Sequence, residues 1–129
     1  MASNNGLVIA VDFDGTIVTH EYPEIGRDLG AIPVLKELQG RGYRLILHTM
    51  RSGSLLKRAT AWCEERGLKF YAVNANPDQK SWTDSPKIYA DLYIDDSALG
   101  CPIKFIDGVK RPAVNWEKVR EQLIFDGLL

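Results

Sequence analysis

Asp12-Phe13-Asp14-Gly15-Thr16 brings two carboxylates two positions apart, directly after the apolar run of residues 7–11. In extended backbone, residues i and i+2 face the same side, so both acids can meet one spot beyond the tip of a buried strand. Like charges gathered there need a proton or a cation to answer them. A hard divalent ion with oxygen ligands, magnesium first, is the natural answer, and a ligand rich in anionic oxygen would be its partner. A second acidic pair, Asp95-Asp96, follows another apolar stretch, Leu92-Tyr93-Ile94, and repeats the logic.

These acids need elements that bring them together. Residues 7–11, 44–48, 70–73 and 90–94 read as short buried strands, and 104–106 as a fifth. Pro33 suits the first turn of a helix running to about Gln39, with Ile32, Leu35 and Leu38 on one face and Gly40 as its stop. From Ser54 the positions Leu55, Leu56, Ala59, Trp62 and Cys63 trace an amphipathic stripe that closes at Gly67. Asn115 is placed to cap a last helix, with Val114 and Val119 as a hydrophobic staple and Glu117 in its first turn. Strand and helix in alternation predict an α/β, Rossmann-like three-layer sandwich with a mostly parallel sheet and helices on both faces. Ligands of such sheets bind beyond the carboxyl ends of the strands, where Asp12, Thr49 and Asp95-Asp96 fall. The polar stretch 74–86 is the one candidate for a small lid.

The order Asp-x-Asp, then Thr49, then Lys80 or Lys87, then Asp95-Asp96 resembles the ordered motifs of the haloacid dehalogenase (HAD) superfamily of phosphotransferases over residues 7–96. The resemblance implies a five-stranded sheet of order 5-4-1-2-3. It makes Asp12 the nucleophile that forms an aspartyl phosphate, and the Asp14 side chain the general acid and base. Dehalogenases lack this second acid, so halide release is disfavoured. Mg2+ would be held by Asp12, the Asp14 backbone carbonyl and Asp96, with Asp95 assisting through water or exchanging roles with Asp96. Thr49 would hold a phosphoryl oxygen together with backbone N–H groups near Phe13, Asp14 and Met50. Thr16 would prop the turn. Lys87 in Ser85-Pro86-Lys87 has the shorter lysine-to-acid spacing and is favoured over Lys80.

Several side chains carry two readings. Arg51 either clamps a second anionic group of the substrate or is a surface arginine at a helix start. His20 either overhangs the pocket or is a solvated loop histidine, and His48 reads as a packed strand residue. Trp62 and Trp116 read as core, while Trp82 reads as either pocket wall or loop. Between Asp14 and Thr49, and between Thr49 and Lys87, the chain is too short for a cap domain. A capless site stays open to substrate or is covered by a neighbouring subunit, a homo-oligomer.

Composition narrows the function further. The 129 residues suit one domain, 1–129, with 45% hydrophobic and 26% charged residues. A net charge of −1 gives no basic face for nonspecific nucleic-acid binding. No apolar run reaches the roughly 20 residues of a membrane span, and the first six residues lack a leader pattern. A soluble, cytoplasmic protein with Cys63 and Cys101 as reduced thiols is expected. The expected function is hydrolysis of a small-molecule phosphate ester, with nucleotide or sugar phosphates leading. A receiver-type signalling domain is the competing class, but it carries its acidic pair after strand 1 and its phosphoaccepting Asp after strand 3. A phosphate-binding module without turnover is the other alternative.

Overall fold

Residues 7–129 are described by the structure, a computed structural model; the leader reading of residues 1–6 lies outside them. The run after Leu7 forms β1, Val8–Val11, with all four side chains buried, as a strand covered on both faces requires. β2, Arg44–Leu47, lies parallel to it with Val11 opposite Leu47. β3, Ala72–Val73, pairs parallel with β2, and β4, Leu92–Ile94, pairs parallel with β1 so that Val11 also stands level with Ile94. The sheet order is β3-β2-β1-β4. Because the strands run one way and in step, the residues after Val11, Leu47 and Ile94 share a rim. The ladder continues just past the strands, with Asp12 N–H donating to Ile94 O and His48 N–H to Val11 O.

Among the described residues, three α-helices pack against the sheet. α1, Ala31–Gly40, buries Ala31, Ile32, Val34, Leu35 and Leu38. It begins after Gly30, whose N–H is held by the Asp28 carboxylate, so that Pro33 stands in its first turn as expected. α2, Gly53–Glu65, turns Ala59 and Cys63 into the core, with Leu56 and Trp62 packed beside them. α3, Trp116–Phe125, is capped as expected by the Asn115 side chain on Lys118 N–H, and Val114 and Val119 are buried in one cluster.

Ile9, Val11, Leu45 and Leu47 belong to a large cluster that includes residues of all three helices. Val8 and Ile46, on the other face, pack with Ile88, Ala72 and Ala90, none of them helical. That face is therefore covered by the segment before β4 rather than by a helix, which corrects the expected symmetric three-layer arrangement. The covering segment contains a 3₁₀ turn, Pro77–Gln79. The buried Gln79 amide donates to Ser85 O and Lys87 O and accepts from Tyr89 N–H, while Asn76 Nδ2 donates to Tyr89 O. A loop stitched this way supplies a packed layer from polar sequence.

The fifth strand of the expected order is not in the sheet. β5, Ile103–Lys104, pairs antiparallel with β6, Ala113–Val114, as a separate ribbon. Pro102 and Pro112 precede the two strands and bring no N–H with which to lengthen the pairing. Both thiols are free, and among the described residues no helix is long and apolar enough to cross a membrane.

Candidate functional site

At the shared rim, carboxylate oxygens of Asp12, Asp95 and Asp96 lie within 4.8 Å of one another. The cost of this gathering falls on Asp12, whose carboxyl is pushed from 3.8 up to about 8. Burial is the largest cause, followed by the charge of Asp95 and then by the hydrogen bond and charge of Asp96; the Phe13 backbone N–H acts weakly the other way. Carboxylates this close hold a proton or a cation between them, and three oxygen donors suit a hard divalent ion.

Local sequence explains how the cluster is held. Gly15 has φ +83°, and a Cβ built there would stand 2.5 Å from Asp96 Oδ2, so only glycine lets the second acid pair approach. Thr16, expected to prop the turn, does more: Asp96 N–H donates to its hydroxyl (3.1 Å), and that hydroxyl donates to Asp12 Oδ2 (3.0 Å). It thereby ties the two acids together. Its carbonyl accepts Trp116 Nε1–H, and Val114 N–H donates to Gly15 O. The last third of the chain, which carries no motif, thus buttresses the motif loop.

Asp14 is handled differently. Its side chain turns away from the cluster to a buried Arg51, with Nε on Oδ2 and Nη2 on Oδ1, both at 2.8 Å. Nη2 also donates to Glu24 O, and Nη1 to Pro23 O and Leu55 O. The guanidinium lies 5.2 Å from the ring centroids of both Phe13 and Tyr22. With five N–H donors engaged, Arg51 has none left for a substrate. The expectation that it clamps a second anion, or is a surface arginine, is corrected: it is 2% exposed and grips Asp14.

Thr49 follows β2 as expected. Its N–H is fixed by Asn74 Oδ1, and its hydroxyl accepts Arg51 N–H, which leaves the hydroxyl proton free to donate. Asn74 holds a left-handed φ of 54°, and its role was not readable from sequence. Met50 is exposed beside the site, whereas Phe13 is core, edge-on to Trp62.

Pro86 and Ile88 line a cavity with Asp12 and Asp95, and Lys87 stands between them with its ammonium 5.9 Å from the Tyr93 ring centroid. Neither Lys80 nor Lys87 itself lines a cavity that Asp12 lines, and Lys87 differs from Lys80 in that both its chain neighbours do. Of residues 74–86, only Asn74 and Pro86 border these cavities, so the segment is a layer rather than a lid. Trp82 sits at the opposite end of the sheet, with Val8, Arg44 and Tyr89. His48 is exposed and borders Asp12 and Asp95, not packed as expected. A cavity at the rim of about 480 Å³ is lined by Asp12, Asp14, Thr49, Asp95 and Asp96 together with His20 and Arg111.

No protein-family model and no curated protein matches the chain. A solved structure, that of the conserved protein coded by a locus from Bacteroides thetaiotaomicron, is similar to it at 42% identity, covering 95% of this chain and 92% of that one with a TM-score of 0.75.

Proposed function

The chain belongs to the same family as the conserved Bacteroides thetaiotaomicron protein, and on the geometry of its own acid cluster we propose that it is a magnesium-dependent phosphomonoesterase of the HAD type, working through phospho-Asp12. The observation that carries this reading is the convergence of Asp12, Asp95 and Asp96 at the tips of β1 and β4, with Thr49 beside the same cavity. The order β3-β2-β1-β4 supports it as the four-stranded part of the order that the resemblance implies. Between Asp14 and Thr49 the described chain holds only a loop, α1 and β2, in keeping with a capless site.

In this reading Asp12 attacks phosphorus and the bond to the alcohol oxygen breaks, with Asp14, entering this step as the neutral acid, giving that oxygen its proton. Asp14 then takes a proton from the water that hydrolyses the acyl phosphate. To do so its carboxylate exchanges one Arg51 hydrogen bond for the reacting oxygen, while the Pro23, Glu24 and Leu55 carbonyls keep Arg51 in place. Thr49 donates its hydroxyl proton to a phosphoryl oxygen, and Lys87 is the cation that neutralises it. Asp12, the Asp14 carbonyl and Asp96, with Asp95 in support, would hold Mg2+, which when bound would supply the charge that offsets repulsion between nucleophile and phosphate.

Hydrolysis of p-nitrophenyl phosphate tests this. Turnover should require Mg2+, stop with EDTA and return when the ion is restored. A wild-type chain inert with Mg2+ is a binding module, and an active Asp12→Asn chain has another nucleophile.

A further inference from the structure

Arg111 and His20 line the same rim cavity as the acids, and we propose that they bind a second anionic group on the substrate, so that the site takes phosphate esters whose alcohol part carries a carboxylate or another phosphate. This rests on the phosphomonoesterase reading and names its substrate class. A cavity of about 480 Å³ is in the size range of whole small-molecule sites, so it houses the alcohol part of a substrate as well as the phosphoryl group. Two arginines line it. Arg51 is saturated by Asp14 and three carbonyls.

Arg111 is not. It is exposed, and among the described residues it forms no ion pair, although four carboxylates line the same cavity. Its one side-chain hydrogen bond runs from Nη1 to His20 Nε2 at 3.0 Å. A guanidinium only donates, so in this contact Arg111 donates and His20 Nε2 accepts. The histidine orients the arginine and leaves its charge unanswered. A planar fork with spare N–H donors matches a carboxylate or phosphate bidentately.

Both residues are also held in place relative to the acids. Thr19, before His20, is buried and exchanges hydrogen bonds with Arg27 through its N–H and hydroxyl. Arg111 enters β6, whose Val114 donates to Gly15 O inside the motif loop. A cation on the wall of the cavity that also holds the acids selects by the span between two anionic groups.

The test is inhibition of p-nitrophenyl phosphate hydrolysis by the full chain with saturating Mg2+. The probes are ω-phosphonocarboxylates and α,ω-bisphosphonates of graded length, each against the alkylphosphonate of equal length. At the best length the second anion should lower Ki on the order of tenfold, as one charge-assisted hydrogen bond does. Arg111→Gln should erase that advantage and Arg111→Lys, which keeps the charge but not the fork, retain only part of it; the end group that gains more identifies carboxylate or phosphate. Equal Ki values at every length, or an advantage that survives Arg111→Gln, overturn the proposal and leave the phosphomonoesterase reading standing. Absence of wild-type turnover with Mg2+ removes that reading and this inference together.

Discussion

Two acids of one motif meet opposite electrostatic fates. Asp14 is answered by a buried guanidinium that spends its whole donor set nearby. Asp12, two residues earlier, is pressed against Asp95 and Asp96 and keeps its proton up to about pH 8. A carboxylate paired with arginine is a finished structural unit, whereas a cluster of acids without a side-chain cation is finished by what it binds. The difference sets Asp12 and its neighbours apart as a cluster that could hold a cation, beside an Asp14 that is already paired.

Replacing Asp12 breaks the comparison most severely. Asp12→Asn should cut phosphatase turnover by about 10⁴-fold or more, the scale of removing a nucleophile. It should also raise the metal-free melting temperature by about 5 °C, the shift that about 1 kcal/mol makes in a domain of this size. The folded carboxyl holds its proton to about pH 8, while the unfolded one loses it near 3.8. Metal-free wild-type stability should therefore fall as pH rises from about 4 to 8 and level off above that, and Asp12→Asn should abolish that slope. A melting temperature unchanged by the substitution would remove the unanswered cluster from the account.

Arg51→Met attacks the other half. It strands Asp14 and three backbone carbonyls, and should cost about 3–5 kcal/mol by denaturant unfolding. A loss under about 1 kcal/mol would mean that the pair is solvated. Gly15→Ala lies between the two regions. Its strained φ and the approach of Asp96 should cost about 1–3 kcal/mol and weaken Mg2+ affinity, whereas an unchanged affinity would detach Asp96 from the ion. The smallest effect expected is on the lysines: Lys87→Ala should lower turnover more than Lys80→Ala, and the reverse ranking would move the assignment to Lys80.

The rim was legible because it is local. Asp12, Thr49 and Asp95-Asp96 each follow an apolar run, and parallel in-register strands bring such ends together. What escaped was long-range or depended on polar side chains acting as structure. Nothing near Arg51 in sequence announces that the Pro23–Glu24 carbonyls and Asp14 will surround it. Gln79 and Asn76 look like loop polarity, yet they replace a helical layer by stitching residues 74–90 together. The fifth strand was read from a brief apolar run, and its neighbouring prolines turned it into a separate ribbon. Arg111 lies 91 residues from His20 in sequence, and only the fold makes them neighbours.

The central claim is that Asp12, Asp95 and Asp96 share one cation, and calorimetric titration with Mg2+ at pH 7 in two buffers of different ionisation enthalpy tests it most directly. The account predicts one saturable site that releases close to one proton per ion bound, because Asp12 must surrender its own. It also predicts loss of that proton release in Asp12→Asn and loss of binding in Asp96→Asn. Undiminished Mg2+ binding in both variants, or no binding by the wild-type chain, would contradict it.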